Sequence, residues 1–379
     1  MREKNKTSQN TDQQQMRTLR KLFVALGMAF PLASASSAES HLKPDEFVMF
    51  LPDIAYQNDN GDILAGIQTW VYEKEKRRGL THILALFLGI DMSALTAAER
   101  RQLYARTQLF RVDSERGKEV FVQDEDNYIH KMPKTASNGR SHILAPVKLD
   151  NKQSIKRLYF YPANIGKTNN ADIAVAIYAP PTGLSVISDI DDTIKHSFVV
   201  DKRQLLINTF LNDFTAIDQM ANFYREININ NDVAYHYVSS SPIQLFPVLH
   251  EFMIENNYPL GTMHLREATR WSDIVPLLKA SRTHKIRSIE RLLRAYPKRK
   301  FLLIGDSVEN DPAIYADLGH RFPDQIYGII IRHATPKKSY IEIERHLNGL
   351  DRKTWIIASS VDDMRNFFKD LQSANKIKQ

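Results

Sequence analysis

The chain has 379 residues, 43% of them hydrophobic and 25% charged, with no cysteine and a formal net charge of +7. That length and apolar content suffice for two or three domains with cores of their own, and the balance excludes a collagen, a coiled coil or a wholly disordered chain. The lack of cysteine excludes disulfides, thiol catalysis and cysteine-ligated metal.

Residues 16–38, "MRTLRKLFVALGMAFPLASASSA", set Arg17, Arg20 and Lys21 before an apolar run from Leu22 to Leu32, with small residues after it. This is the order of a secretory signal, with Ala33-Ser34-Ala35 or Ser36-Ser37-Ala38 as cleavage sites. The run falls short of the roughly 18–20 residues that span a bilayer, though an uncleaved anchor or a transit peptide is the alternative. We therefore expect residues 1–38 to be a leader and the protein to be exported, periplasmic or secreted. Residues 1–38 carry six Lys/Arg and two Asp/Glu, so the remainder, with 45 basic and 42 acidic residues, is close to neutral. That argues against nucleic acid as a partner.

Residues 42–182 are expected to form a β-rich, sandwich-like accessory domain. "FVMFLPDIAY", "ILAGIQTWVYE", "KEVFVQ", "SHILAPVKL", "RLYFYPA" and "DIAVAIYAP" are short β-prone runs separated by Asn, Asp, Gly and Pro. One helix interrupts them, at about Thr96 to Phe110. "APPTG" at 179–183 reads as the boundary. "GKT" at 166–168 resembles a phosphate loop, but Tyr161 stands where the earlier glycine is required and no helix pattern follows.

From Leu184 the pattern changes. "LSVISDI", "VAYHYVS", "KFLLIGDS", "IYGIIIRH" and "TWIIAS" are near-continuous apolar runs, as in a sheet buried on both faces. Helical patterns alternate with them. Ile217, Met220, Ala221, Tyr224 and Ile227 share a face after Asp213, an expected N-cap. Ile286, Ile289, Leu292, Leu293 and Tyr296 share another, and Val361, Met364, Phe367, Phe368 and Leu371 follow Ser360 as cap. The fold class is therefore α/β, a doubly wound parallel sheet over residues 184–379.

In such a sheet, ligands bind beyond the carboxyl ends of the strands. At those ends stand Asp189, Asp191 and Asp192, then Ser239, Ser240 and Ser241, then Asp306 and Ser307 with Glu309 and Asp311 close behind, while Lys285 opens a helix. Gathered acids are costly unless a cation neutralises them, and Mg2+ takes hard oxygen ligands together with substrate phosphate. Asp189 and Asp306 are the natural ligand pair, with Asp191 and Asp311 the other acids within reach. Asp189 can attack phosphorus, Asp191 can move a proton to the leaving oxygen, and Ser239 and Lys285 can hold the phosphate. Singly, each element also reads as a turn or a cap: Ser241-Pro242, for example, as an N-cap followed by proline at the first helical position. The order of all four is what points to catalysis.

"DIDDT", "YVSSS", "HK" before an amphipathic helix, and "GDSVEND" resemble, in sequence order, the four motifs of the haloacid-dehalogenase-like phosphatase superfamily. Within it, "ISDIDDTIKHS", "YVSSSPIQL" and "LLIGDSVENDPAIY" are most similar to the phosphatidate phosphatases named for their association with actin patches. The resemblance covers about residues 184–335. It implies Asp189 as phosphorylated nucleophile, Asp191 as acid/base, Ser239 and Lys285 on the phosphate, and Asp306 and Asp311 placing Mg2+. The stretches between motifs leave little room for a lid, so a minimal cap and an open site are expected. That suits a phosphate on a bulky or membrane-embedded substrate. "IKHSFVVDKRQLL" is a candidate flap and "WSDIVPLL" (271–278) a candidate acyl contact, with core packing the alternative for either; His196 and Arg266 are candidate head-group contacts. The expected activity is Mg2+-dependent hydrolysis of phosphatidate, or a related lipid phosphate, to diacylglycerol and phosphate. The alternatives are the same chemistry on a soluble phosphomonoester, or a non-catalytic phospholipid-binding module.

Overall fold

The computed structural model describes residues 42–75, 79–163, 172–228, 232–267, 282–335 and 338–375. The leader, the "GKT" tripeptide and the "WSDIVPLL" segment lie outside the described residues. Among the described residues no helix is long and apolar enough to cross a membrane.

The N-terminal half is organised around one long strand. β1 (Glu46–Leu51) and β2 (Asp53–Gln57) pair in succession along one edge of β3 (Ile63–Lys74). Pro52 separates them because it has no N–H to give the ladder, and the pairing slips by one residue across it. Two helices follow, α1 (Leu80–Leu88) and α2 (Ala97–Gln108); Thr96 and Glu99 close a reciprocal capping box at the start of α2. The remaining strands are β4 (Val112–Ser114), β5 (Phe121–Gln123), β6 (Ile129–Lys131), β7 (Arg140–Val147), β8 (Lys156–Pro162) and β9 (Ala174–Tyr178). All nine join one hydrogen-bonded network, β1-β3-β2-β9-β8-β5-β6, with β4 and β7 on the free flank of β3. It folds over a core that includes Val48, Phe50, Ile67, Val122, Phe160 and Tyr178.

The C-terminal half holds a six-stranded, wholly parallel sheet. Its elements run β10 (Leu184–Ser188), α3 (Lys202–Phe210), α4 (Met220–Ile227), β11 (Ala234–Pro242), α5 (Phe246–Glu255), β12 (Thr262–Arg266), α6 (Arg282–Ala295), β13 (Lys300–Asp306), α7 (Asp311–Arg321), β14 (Ile326–Arg332), α8 (Tyr340–Leu347), β15 (Trp355–Ala358) and α9 (Val361–Asn375). The order β12-β11-β10-β13-β14-β15 is doubly wound: the chain steps outward twice from β10, then returns to β10's other side and steps outward again. β10 and β13 therefore flank the switch point, where an open α/β sheet leaves a crevice. α3, α4, α5 and α9 contribute to one apolar cluster, and α6, α7 and α8 to another on the opposite face.

One expected cap is corrected. α4 does not begin after Asp213; it starts at Met220, with Gln219 in the left-handed region at φ 60°. The intervening segment is drawn back to the β10–α3 loop by bonds from His196 N to Thr215 O (2.9 Å) and from Ile217 N to Ile194 O (3.0 Å). Ser360 does cap α9, its Oγ accepting from Asp363 N at 3.1 Å.

The two halves meet where β2 lies against β12 and α6. Pro52 O accepts from Met263 N at 2.9 Å, and Tyr296 of α6 donates to Ala55 O at 2.9 Å. Asp53, fully buried, accepts from Arg291 of α6 (2.7 Å), from His142 of β7 (3.1 Å) and from Ile54 N (2.8 Å). A Cβ on Gly66 would lie 2.8 Å from the Asp53 carboxylate, so glycine is what admits the acid here. Burial alone would raise the Asp53 carboxyl, but His142 and Arg291 outweigh it and hold the acid well below the usual carboxylate range. An acid depressed in the folded state stabilises above its unfolded pKa of about 4, and that stabilisation is lost as pH falls further. Asp53→Asn is therefore expected to cost about 2 kcal/mol at neutral pH, and the gap from wild type should narrow progressively as pH falls from about 5 towards 1 in denaturant titrations. Parallel stability curves over that range would contradict this.

Candidate active site

The acids converge at the switch point. Asp189 directly follows β10, its N–H bonded to Ile304 O of β13 at 2.9 Å and its Oδ2 accepting from Thr193 Oγ1 at 3.2 Å. Lys285, in the first turn of α6, places its Nζ 2.8 Å from Asp189 Oδ1, 2.8 Å from Glu309 Oε2 and 2.7 Å from Asp311 Oδ1. Asp306, the last residue of β13, accepts from the N–H groups of Val308 and Glu309 through Oδ1. Its buried Oδ2 has no hydrogen-bond partner among the described residues. Gly305 makes room for this packing, because a Cβ there would approach Asp311 Cβ to 2.8 Å.

One buried ammonium thus faces three buried acids and the partly buried Glu309. Burial, with Asp311, Glu309 and Asp306 added to it, outweighs Lys285 and raises the Asp189 carboxyl well above its usual value. Asp306 is raised in the same way, first by burial and then by Asp311 and Glu309. Burial would lower Lys285, but Asp189, Asp311 and Glu309 outweigh it and push the amine well up. Asp189, Asp306 and Asp311 each offer a carboxylate oxygen within 4.8 Å of the others. Three hard oxygen donors, an orphaned buried carboxylate oxygen and too little positive charge fit a divalent cation of the Mg2+ kind.

Asp191 stands apart from that trio. Its Oδ1 meets Lys195 Nζ (2.8 Å) and Ser197 Oγ (2.6 Å), and its Oδ2 accepts from Ser241 Oγ (2.7 Å) and Ser239 Oγ (3.2 Å). Burial alone would raise this carboxyl, but Lys195, Ser197 and Ser241 outweigh it and hold the acid well below the usual range. Lys195 also lies 4.4 Å over the Phe214 ring. The third acid of the opening motif has a different task. Asp192, at φ 54°, collects the N–H groups of Ser197, Phe198 and Val199 at 2.8, 2.9 and 2.8 Å and closes the loop after β10. Ser239 accepts from Ser241 N at 2.9 Å where the β11 register shifts. The Ser241-Pro242 pair is not a helix cap: β11 runs on to Pro242, and Ser241 serves Asp191.

His196 is half-buried and stacked on Phe198, with ring centroids 6.1 Å apart. Arg266, at the end of β12, donates to Ser240 O at 3.0 Å, next to Ser241. A small cleft beside the site is lined by Asp191, Lys195, Thr209, Ser240, Ser241 and Glu309 together with Val199, Leu205, Leu206, Leu245 and Leu249. Lys195, Ser197, Ser241 and Glu309 are the site residues that reading the sequence did not assign. The spacing of Asp191 and Lys195, four apart within one loop, was the available signal for the first of them.

The family model described as "Phosphatidate phosphatase APP1, catalytic domain" matches residues 184–333. The match covers less than half of the chain. The matched segment starts with β10 and ends just after β14, so it holds both switch-point strands together with Asp189, Asp191, Asp192, Asp306, Glu309 and Asp311. "Phosphatidate phosphatase APP1" of Saccharomyces cerevisiae is 38% identical over 160 residues, 41% of this chain and 27% of the relative. An uncharacterized protein of Schizosaccharomyces pombe is 30% identical over 187 residues, 48% of this chain and 30% of the relative. The chain thus spans less than a third of the length of either relative.

If the acid cluster is built for a cation, the fold should report it without any turnover. With Mg2+ in excess of its Kd, wild type should melt a few degrees higher than in EDTA, whereas Asp306→Asn should melt at or above wild type in EDTA and gain nothing from Mg2+. Equal Mg2+ shifts in the two proteins would contradict the site.

Proposed function

We propose that the chain is a Mg2+-dependent, haloacid-dehalogenase-like phosphatase with a minimal cap, acting on phosphatidate or a related lipid phosphate. The carrying observation is the meeting of Asp189, Asp306, Asp311 and Lys285 at the switch point of a parallel sheet. The catalytic-domain match and the name of the yeast relative support phosphatidate as substrate.

In this reading Asp189 attacks phosphorus, displaces the glyceride oxygen and carries the phosphoryl group as an aspartyl phosphate. A bound cation would neutralise the acid trio and the phosphate oxygens, removing the repulsion between nucleophile and substrate. Lys285 holds Asp189 in place and faces the transferring group. Ser239 and Ser241 present hydroxyls at the end of β11, where phosphate oxygens can take over bonds now made to Asp191. Asp191 protonates the leaving oxygen and then withdraws a proton from the water that hydrolyses the intermediate. Its carboxyl starts ionised beside Lys195; an arriving phosphate adds negative charge nearby and so favours the protonated form that the first half-reaction needs. Export through residues 1–38 belongs to the same proposal.

Phosphate release should be measured from phosphatidate in mixed micelles and from small soluble esters, with Mg2+ and with EDTA. We expect Mg2+-dependent release that favours phosphatidate, and an Asp189→Asn variant that keeps its fold while losing on the order of a thousandfold or more in kcat. Faster release from the soluble esters would overturn the lipid assignment, and undiminished release by Asp189→Asn would overturn the nucleophile.

A further inference from the structure

The loop between β10 and α3 turns its apolar residues in two directions. Val199 points into the cleft beside Asp191, together with Leu205 from α3. Its neighbours Phe198 and Val200 face solvent, 55% and 39% exposed. Mobility does not account for this display. The Asp192 carboxylate holds the N–H groups of Ser197, Phe198 and Val199, and Phe198 N–H and C=O are further engaged because Asp201 N donates to Phe198 O at 2.9 Å. Phe198 itself sits at φ 59°, a left-handed conformation that a bulky residue adopts only when its surroundings impose it. The fold thus holds an aromatic ring outward at the rim of its cleft.

Basic residues flank the tip. Lys202 and the exposed Arg203 open α3, while the acid between them and the tip, Asp201, is turned to capping the helix through Arg203 N and Gln204 N. Arg203 also donates to Leu88 O at the end of α1, the helix that carries Leu86 with 78% of its surface exposed. Apolar side chains beside cationic ones, on a rigid support, are the elements of a surface that seats in the boundary between phospholipid head groups and acyl chains.

We propose that Phe198 and Val200 form a membrane-inserting tip that sets the mouth of the cleft on a phospholipid bilayer. This inference rests on the lipid reading above and adds to it the point of contact and its occupant. The head group then meets the acids at the inner end of the cleft while Phe198 and Val200 sit among the neighbouring lipids.

The test uses the full chain with phosphatidylcholine vesicles, with and without phosphatidate, and compares vesicle-embedded phosphatidate with dioctanoyl phosphatidate kept below its micelle concentration. A Phe198→Ala, Val200→Ala double variant should bind vesicles about tenfold or more less tightly and lose turnover of embedded lipid in proportion, while turnover of the monomeric lipid stays at the wild-type level. Phe198→Trp should restore binding, and its indole emission should shift to the blue on vesicles. Equal losses on embedded and monomeric lipid, or no loss on either, would overturn the tip and leave the proposed phosphatase intact. A change in solution mass with unchanged vesicle binding would assign the tip to a contact between copies of the chain and overturn the proposal in that way. Vesicle binding through Phe198 by a protein that hydrolyses no form of phosphatidate would instead remove the phosphatase reading and leave the tip standing.

Discussion

Lys285 Nζ lies within 2.8 Å of three carboxylates, and a fourth, Asp306, closes the group from the end of β13. Buried charges survive only when paired, and here the pairing is unequal. The imbalance is the constraint around which the site is built. It explains why Asp189 and Asp306 sit at strand ends and Asp311 in the first turn of a helix, where backbone N–H groups can help to carry negative charge, as those of Val308 and Glu309 do for Asp306. It also explains Gly305, since no larger residue lets Asp311 reach the lysine.

The lysine's position is set from outside the matched domain. α6 carries Lys285 near its start and Arg291 and Tyr296 further on, and the latter two are anchored on β2 of the N-terminal sheet. From the break at Pro52 onward, Pro52 O, Asp53 and Ala55 meet β12 and α6 in succession. The β-rich half is thereby a brace for the helix that carries Lys285, with Asp53 as its buried fastening.

Much of this was legible in the sequence because a strand buried on both faces is a run of apolar residues, and a run has a visible end. The ends of "LSVIS" and "KFLLIG" point directly at Asp189 and Asp306. What the sequence conceals is choice of partner. Asp191, Asp192 and Ser241 all stand in motif positions, yet one accepts from Lys195 and three hydroxyls, one holds the loop backbone, and one abandons the helix cap that its neighbour Pro242 suggests. These choices follow from how the 190–200 loop closes, which periodicity does not encode. The misplaced start of α4 has the same origin: Thr215 and Ile217 are committed to bonds with that loop, and tertiary pairing overrides the local capping preference of Asp213. α1 and α3 were missed for another reason. "LTHILALFL" and "KRQLLINTF" are short helices without a clean amphipathic stripe, and packing forms them rather than pattern.

The central claim is that Asp189, Asp306 and Asp311 share one divalent cation. Crystals grown with Mn2+ in place of Mg2+ test it directly through anomalous scattering. The account predicts a single strong peak among the three carboxylates, about 2.1 Å from oxygen atoms of Asp189 and Asp306. A fully occupied Mn2+ elsewhere on the protein, with these acids contacting only Lys285, would contradict it.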